Sequence, residues 1–428
     1  MRILMVTNTF APHVGGVARS VTAFTEEYRR RGHRVVVVAP EFPGTPDDEE
    51  DVIRIKAFQN FNGSDFSVVL KPPLHLARAV DTFRPDLIPS HHPFLLGSTA
   101  LRLARSRRIA LVFTHHTLYE RYTHYVPGDS SALKRFIVRL STNYANLCAR
   151  VFAPSHSTAR TLREREVQAP MSVVPTGVRM SDFASGHGGG MRAALGIPED
   201  AMVVGYLGRL AEEKNLRFLA DAMARFLLET PAAYALVVGE GPMREGMQAI
   251  FAAAGVADRV RFTGALQSLL LASAYKAMDV FAFASTSETQ GLVLAEAMAA
   301  GTPVVALDAP GAREIIQDRV NGRLLADADA NVEGFCAGIA SITSLPVAMR
   351  RQLAINAHQT ASQLSLERCA DRALTAYESM VAHPLRPVAE VDEAWYRTVR
   401  LLSAEWELLS ATMGAAGRAL QRGVEISK

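Results

Sequence analysis

Cysteine is scarce in this 428-residue sequence, which holds three (Cys148, Cys336 and Cys369) and no C-x-x-C pair. So few thiols, odd in number, exclude a disulfide scaffold and fit a reducing cytoplasm. Long apolar runs are also missing, since none approaches the roughly 18–20 residues that span a bilayer. The N-terminus turns polar at Thr7 and Asn8, too early for a signal-peptide core. With 49% hydrophobic and 21% charged residues, the composition is globular and excludes disorder.

The length predicts two or three domains of about 100–200 residues each. The net charge is only +3, but it is unevenly distributed: residues 1–180 carry 24 Lys and Arg against 15 Asp and Glu, a net +9, and the rest carries a net −6. A basic first part fits an anionic partner such as nucleotide phosphates, anionic lipid or nucleic acid. An unevenly charged solvated surface explains the same counts, so charge alone does not decide.

Short β-branched runs alternate with amphipathic helical patterns, and the alternation restarts after residue 200. This predicts an α/β fold with two parallel, doubly wound sheets. Strands are predicted near residues 3–7, 34–39, 87–88, 110–114, 151–153, 172–174, 202–207, 235–238, 260–263, 280–284 and 304–306. The glycine-rich stretch 185–190 is interpreted as the linker between the domains.

Two glycines, Gly15 and Gly16, lie at the predicted turn between the first strand and the first helix. Glycine lets a backbone approach a ligand closely, and the helix N-terminus behind it offers free N–H groups and a positive dipole to an anion. The spacing does not match the G-x-G-x-x-G dinucleotide fingerprint. A plain tight turn explains the same pair.

Arg209 and Lys214 follow a predicted strand of the second domain, at the sheet edge where doubly wound folds bind ligands. Arg can hold a diphosphate with two hydrogen bonds and Lys adds a mobile charge. A solvated helix start is the alternative interpretation.

Two glutamates are separated by seven residues. Glu288 precedes a predicted helix over 292–300, and Glu296 lies inside that helix among apolar residues. A loop of backbone N–H groups with a carboxylate suits a polyhydroxylated ligand, and the second carboxylate suits a ribose diol. Because an unpaired buried carboxylate is costly, we expect Glu296 to have a ligand or a cation as its partner.

His116 follows a predicted strand of the first domain, where a histidine beside a cleft can donate to a sugar hydroxyl or steady developing positive charge. Zinc is the competing interpretation for His91, His92, His115, His116 and His124. Adjacent pairs are not the usual zinc spacing, and no Cys or carboxylate stands beside them to complete a set, so no metal is expected.

Together, Gly15-Gly16, Arg209 with Lys214, and Glu288-x7-Glu296 resemble the pattern of the family 4 retaining glycosyltransferases, and stretches 237–242, 260–264 and 296–305 agree with it. The resemblance spans about residues 1–382. It implies the GT-B architecture: two facing Rossmann-like domains with an interdomain cleft. The implied parts are an acceptor-side domain (1–178), a nucleotide-sugar domain (179–365) and a helix returning to the first domain (366–385). The segment after about Pro387 lies outside the resemblance, and its own helical pattern predicts a C-terminal helical extension (386–428).

The resemblance also implies roles for individual residues. Arg209 and Lys214 would hold the donor diphosphate with help from the backbone at Gly15 and Gly16, and Glu296 would bind the ribose. His116 would lie near the reacting sugar. The donor sugar would be bound by Glu288 with the backbone around Thr289, Gln290, Gly291 and Leu292. The nucleotide sugar is a substrate, and neither a cofactor nor a metal is implied.

A finer resemblance is to the branch that glucosylates diacylglycerol, carried by stretches 90–97, 117–128 and 288–291, with Pro89 as a departure where that branch often has His. It implies transfer of a hexose, with UDP-glucose as the expected donor, to a lipid at the cytoplasmic membrane surface. One alternative is a family 4 enzyme that uses a UDP- or GDP-sugar and a soluble or polysaccharide-precursor acceptor. Alternatives of another class are a GT-B epimerase and a non-catalytic sugar-nucleotide binder. No nucleic-acid partner is expected.

Two helical patterns suggest partners. Residues 134–140, Lys-Arg-Phe-Ile-Val-Arg-Leu, could lie on an anionic membrane surface or pack in the core with their cations reaching solvent. Near the C-terminus, apolar residues recur every 3.5 positions from Trp395 to Leu420. This stripe predicts either a homodimer through the C-terminal helix or a helix that packs on its own chain.

Overall fold

The structure, a computed structural model, describes residues 1–13, 15–46, 49–58, 68–69, 74–120 and 130–382. It contains two parallel sheets, of seven and six strands, each covered by helices. The predicted α/β class with two Rossmann-like domains is confirmed. His124 and the C-terminal stripe lie outside the described residues.

The first sheet has the strand order β3-β2-β1-β6-β7-β8-β9, and a two-stranded antiparallel pair, β4-β5, stands apart from it. Neighbouring residues of β1 face opposite sides: Leu4 and Val6 belong to one core, Ile3 and Met5 to the other. Apolar side chains on both faces are what a parallel sheet between two helical layers requires. The strands are β1 (Arg2–Val6), β2 (Arg34–Pro40), β3 (Val52–Ile55), β4 (Ala57–Phe58), β5 (Val68–Val69), β6 (Leu87–Ser90), β7 (Ala110–Thr114), β8 (Arg150–Ala153) and β9 (Met171–Val173).

Helices connect these strands as crossovers. They are α1 (Gly16–Arg30), α2 (Leu74–Phe83), α3 (Leu96–Arg107), α4 (Ser131–Asn146) and α5 (His156–Glu164). Helix α1 packs on the face that holds Ile3 and Met5, and α3 packs on the opposite face.

The second sheet has the strand order β12-β11-β10-β13-β14-β15. Its strands are β10 (Val203–Leu207), β11 (Tyr234–Val238), β12 (Val260–Gly264), β13 (Val280–Phe283), β14 (Val304–Leu307) and β15 (Gly322–Leu325). The helices of this part are α6 (Met180–Ala184), α7 (Gly188–Ala194), α8 (Leu216–Glu229), α9 (Arg244–Ala253), α10 (Ser268–Ala277), α11 (Leu292–Ala299), α12 (Ala312–Ile315), α13 (Val332–Thr343) and α14 (Val347–Gln363).

The last described helix, α15 (Leu366–Ala382), lies on the first sheet. Its residues Leu366, Cys369 and Tyr377 share a buried core with Ile3 and Met5 of β1. The chain therefore crosses between the domains twice. The two crossings run side by side: Val178 donates to the carbonyl of Leu364 at 2.9 Å and accepts from the N–H of Leu366 at 3.0 Å.

The interpretation of residues 185–190 as a linker was wrong. His187 caps α7 and Gly188 is its first residue, inside the second domain. A Cβ on Gly186 would lie 2.7 Å from the carbonyl carbon of Ala272, and one on Gly188 would lie 2.3 Å from the carbonyl oxygen of Lys276. These glycines let α7 pack closely on α10, so they serve close packing and not flexibility.

The sequence prediction missed four short strands: β3, β15 and the β4-β5 pair. Strands β4 and β5 have two residues each, which is too short for an alternating pattern to be seen. β3 and β15 lie at sheet edges, where pairing to a neighbouring strand creates the element.

Within the described ranges, no single helix is long and apolar enough to cross a membrane. Helices α13 and α14 meet the length and composition criteria only as a pair bent by 105°. The face of α13 that holds Phe335 and Ile339 is buried in the second domain.

Candidate active site

The candidate site lies where loops at the carboxyl ends of both sheets approach each other. In the first sheet the order reverses between β1 and β6, and in the second between β10 and β13. Ligands of open α/β sheets bind at such reversals, because the neighbouring loops separate and leave a crevice. The structure brings to this region the loops that carry Gly15, His116, Arg209, Glu288 and, at the next helix, Glu296.

Helix α1 begins at the crevice without a side-chain cap. Gly15 is the residue before the helix and has an extended backbone, and no acidic residue lies in the first turn. The first N–H groups of a helix have no carbonyl partner inside it. Among the residues that the structure describes, a Cβ on Gly16 would meet no atom within 4 Å, so they leave space beside this N-terminus. The geometry suits an anion approaching the backbone.

Lys214 lies in a short 3-10 helix after β10 and reaches the loop after β13. Its Nζ is 2.5 Å from Oε1 of Glu288, which also accepts from the hydroxyl of Ser285 at 3.0 Å. Burial acts to raise the pKa of Glu288, but the Lys214 charge and the hydrogen bonds from Lys214 and Ser285 outweigh it, so the pKa is lowered. Glu288 is thus held as a carboxylate beside a cation.

Arg209 forms an ion pair with Glu213, one helical turn further along the chain. The Arg209 side chain is 39% exposed, whereas that of Glu213 is 6% exposed. The carbonyl of Glu213 in turn accepts from the hydroxyl of Ser287 at 3.0 Å. Arg209 is therefore tied to a nearly buried carboxylate, while its side chain as a whole stays partly exposed.

Glu296 is buried, as the sequence predicted, and it has the expected cation. Arg19 of α1 bonds to Oε1, and the hydroxyl of Tyr275 donates to Oε2 at 2.8 Å. The charge of Glu296 raises the pKa of Arg19, and burial raises the pKa of Tyr275 well above its usual value. The Arg19–Glu296 pair joins α1 of the first domain to α11 of the second.

Thr289 and Gln290 also bridge the domains, a role the sequence did not predict. The Thr289 hydroxyl donates to the carbonyl of His116 at 2.7 Å. The carbonyl of Thr289 accepts from the hydroxyls of Ser155 and Thr158 at 2.6 and 3.0 Å. The Gln290 side chain pairs with both backbone groups of Thr176 at 2.7 Å. The Gln290 side chain thus faces the other domain, and the expected backbone contacts to a donor sugar stay a prediction.

Gly291 precedes α11 in the left-handed region, with φ 74° and ψ 52°, and no side chain caps the helix. Leu292 is the first residue of α11, so its N–H has no carbonyl partner inside the helix. Like α1, helix α11 begins after a loop at the carboxyl edge of its sheet.

Four of the five histidines considered above as zinc ligands, His91, His92, His115 and His116, lie at the carboxyl ends of β6 and β7. His91 and His116 share a hydrogen bond of 2.8 Å, and Nδ1 of His92 accepts from the N–H of Asn8 at 3.1 Å. Burial lowers the pKa of His92 and of His115 to about 3 and that of His116 to about 4. These rings are neutral near pH 7. In the described ranges no three or more His, Cys, Asp or Glu residues are grouped to hold a metal ion.

Sequence reasoning missed Arg19, Tyr275 and the Ser155–Thr158 pair. Arg19 did carry a signal, because a cation in the first turn of a helix opposes the helix dipole and needs a compensating anion. Tyr275 carried none: it lies 21 residues from Glu296 in sequence, and only the packing of α10 on α11 brings its hydroxyl there.

The sequence matches two family descriptions, "Glycosyltransferase Family 4" over residues 14–182 and "Glycosyl transferases group 1" over residues 190–360. One similar protein is the alpha-monoglucosyldiacylglycerol synthase of Streptococcus pneumoniae, 29% identical over 76% of this chain and 75% of that protein. Another is the GDP-mannose-dependent alpha-mannosyltransferase of Mycolicibacterium smegmatis, 30% identical over 89% and 98%. A D-inositol 3-phosphate glycosyltransferase of Geodermatophilus obscurus is 33% identical over 71% and 69%.

Among solved structures, Anabaena Alr3699/HepE in complex with UDP and glucose matches with a TM-score of 0.67 at 23% identity, over 89% of this chain and all of that one. The sucrose-phosphate synthase of Thermosynechococcus elongatus matches with a TM-score of 0.71 at 22% identity, over 89% and 99%. At these identities the likeness is one of fold.

Proposed function

Since the chain belongs to glycosyltransferase family 4 and has the GT-B fold, we propose that it is a metal-independent, retaining enzyme that transfers glucose from UDP-glucose to a lipid such as diacylglycerol at a membrane surface. The observation that carries this proposal is the meeting, in one crevice, of the uncapped N-terminus of α1, the Lys214–Glu288 pair and the Arg19–Glu296 pair. Each suits a different part of a nucleotide sugar.

The donor diphosphate fits between the N-terminus of α1 and the two cations Arg209 and Lys214. When the bond from the sugar's anomeric carbon to the phosphate oxygen breaks, the departing diphosphate gains negative charge. Donors and cations that are already oriented stabilise that charge without reorganising, which is the task a divalent metal performs in other sites. Glu213 pairs with Arg209 and Glu288 pairs with Lys214, which holds these cations in place.

The ribose and the sugar fit the two glutamates. Glu296 is nearly buried, and Tyr275 fixes the direction of its carboxylate. Each carboxylate oxygen can accept more than one hydrogen bond, so a ribose diol can bind beside Tyr275 or in place of Arg19. Glu288 and His116 lie on opposite sides of the Thr289 contact between the domains, where the donor sugar would be enclosed.

The proposal of a lipid acceptor is supported by the similarity to alpha-monoglucosyldiacylglycerol synthases and by the surface of α4. In the first turns of α4 the side chains of Lys134, Arg135 and Arg139 are exposed, and Phe136 is 38% exposed; the helix enters the core only from Leu140. Cations beside an exposed aromatic ring suit an anionic headgroup layer, where each cation is worth about 1 kcal/mol. Transfer from a GDP-sugar to a soluble acceptor is the second candidate. The GDP-mannose-dependent relative, which aligns over 98% of its length, favours this donor, and the D-inositol 3-phosphate glycosyltransferase favours such an acceptor.

Incubation with UDP-[14C]glucose and vesicles that contain diacylglycerol tests the function. We expect UDP release and a glucosylated lipid that mass spectrometry identifies. Parallel reactions with GDP-mannose, and with inositol phosphate as a soluble acceptor, separate the second candidate. Transfer in those reactions alone would contradict the lipid proposal, and a donor that is only bound or epimerised would contradict both.

Co-sedimentation with vesicles tests membrane binding. We expect the wild-type protein to pellet with anionic vesicles at low salt. The Lys134→Glu, Arg135→Glu double variant should stay in the supernatant. A matched control is Arg351→Glu, on an exposed side chain of α14 in the second domain. Absence of binding at low salt, or equal binding by the double variant, would remove α4 from the proposal.

A further inference from the structure

His91 and His116 form a paired unit across two neighbouring strands. His91 follows β6 and His116 follows β7, and their rings are stacked with centroids 5.1 Å apart at an angle of 26°. Nδ1 of His91 lies 2.8 Å from Nε2 of His116, within hydrogen-bond distance. His91 is 2% exposed, so its ring cannot turn freely toward solvent.

This contact decides which atom of His116 can serve a ligand. A neutral imidazole has one donor and one acceptor nitrogen, and Nε2 of His116 is already taken by His91. Nδ1 is the remaining polar atom of the ring. The backbone of His116 is fixed as well, because the hydroxyl of Thr289 donates to its carbonyl at 2.7 Å.

The surroundings of His91 indicate which ring carries the shared proton. Nε2 of His91 is buried and has no partner in the described part of the chain. His91 and His116 both line a cavity of about 10 Å³, which is at the lower limit for one water and is bounded mostly by apolar atoms, so a water there is not the expected partner of Nε2. Orphaned buried N–H donors are rarer than under-satisfied acceptors. The favoured arrangement therefore leaves Nε2 of His91 unprotonated and puts its proton on Nδ1.

We propose that His91 is a positioning residue: its Nδ1–H donates to Nε2 of His116, which fixes His116 as the tautomer whose Nδ1–H faces the donor sugar. The part of this inference that concerns the sugar rests on the role proposed above for His116. Burial lowers the pKa of His91 well below its usual value and that of His116 to about 4, so both rings stay neutral and the hydrogen bond is not lost to protonation near pH 7.

Two variants of His91 test the role through activity. His91→Asn places an amide N–H near the position of Nδ1, whereas His91→Leu is of similar size and has no donor. We expect His91→Leu to lower kcat by about 10- to 100-fold, the loss that follows removal of the outer partner of a metal-binding histidine. The KM for UDP-glucose should change by less than about threefold, because ground-state binding is unaffected. His91→Asn should recover most of the activity.

Nitrogen NMR of [15N]histidine-labelled protein tests the tautomer directly and needs no substrate. We expect His116, assigned by the loss of its signals in His116→Gln, to carry its proton on Nδ1 in the wild type and to populate both tautomers in His91→Leu. A proton on Nε2 in the wild type would overturn the proposal, as would an unchanged tautomer in His91→Leu or an equal loss of kcat in both His91 variants.

The two failures are distinguishable. If the wild type transfers no glucose from UDP-glucose, or if His116→Gln is fully active, the proposed function of the site is wrong. The NMR experiment still tests the hydrogen bond between His91 and His116 in that case, because it needs no substrate. Circular dichroism of each variant shows whether a loss of activity reflects unfolding.

Discussion

The buried histidines predict that mild acid destabilises the first domain. His92 is 7% exposed and His115 is fully buried. Burial lowers the pKa of each to about 3, with smaller contributions from His116 and His13 for His92 and from Arg165 for His115. In an unfolded chain the pKa of histidine is about 6.5. Below that pH the unfolded chain binds protons that the folded domain does not, so stability falls as the pH falls.

The magnitude follows from linkage. Between pH 7.5 and 5.5, protonation stabilises the unfolded state by about 1.4 kcal/mol per histidine. A histidine whose pKa in the folded state is near 3 stays unprotonated over this range, so the folded state is stabilised by almost nothing. His92 and His115 together therefore cost about 3 kcal/mol, and the lowered pKa values of His91 and His116 act in the same direction. Carboxylates with a lowered pKa, such as Asp86, lose their contribution only near and below pH 4. A typical domain is stable by about 5–15 kcal/mol, so the loss is measurable.

Urea unfolding at the two pH values, followed by circular dichroism, measures the difference. Because the two domains can unfold in separate steps, hydrogen exchange of β7 identifies the step that involves His115. In His115→Phe the loss of stability between pH 7.5 and 5.5 should be smaller by about 1.4 kcal/mol, whatever the variant's absolute stability. Val112→Ala, a buried residue of β7 with no titratable group, is the control and should leave the pH dependence unchanged.

An equal pH dependence in wild type and His115→Phe would refute the reasoning. It would mean that the His115 ring accepts a proton in the folded domain, and hence that it is not in the dry surroundings that its burial implies.

Three further predictions concern the site and the C-terminus. Lys214→Ala and Glu296→Ala should each lower turnover by about 100-fold or more. For Lys214 the scale is the loss of one preorganised donor, which costs about 2.7–4 kcal/mol of transition-state stabilisation; near-normal turnover of folded Lys214→Ala would remove the diphosphate assignment. EDTA should leave activity intact, and inactivation that a divalent ion reverses would contradict a metal-independent reaction. Both tryptophans, Trp395 and Trp406, lie on the C-terminal apolar stripe, so their fluorescence reports on it. A red shift on dilution, with a monomer seen by sedimentation, would support a dimer, whereas a blue-shifted spectrum that dilution leaves unchanged would favour packing on the same chain. A red-shifted spectrum at every concentration would exclude both.

The predicted positions of the site residues follow from local rules. Alternating apolar strands and amphipathic helices define the two sheets, and polar residues that follow a strand of a parallel sheet lie at its carboxyl edge. Arg209, Lys214, Glu288 and His116 were placed near the crevice in this way. A cation for Glu296 was also predictable, because a carboxylate among apolar residues needs a partner.

The identity of each partner was decided by the tertiary structure alone. Arg19 reaches Glu296 across 277 residues, and Gln290 reaches Thr176 across 114, only because the two sheets face each other. The glycines of 185–190 look like a flexible segment in sequence, and only the approach of α7 to α10 gives them another purpose. Sequence periodicity reports which face of an element is buried, and this determined the domains and their edges. Hydrogen bonds between residues distant in sequence have no period, so how Glu288, Glu296 and His116 are held was determined only when the domains packed together.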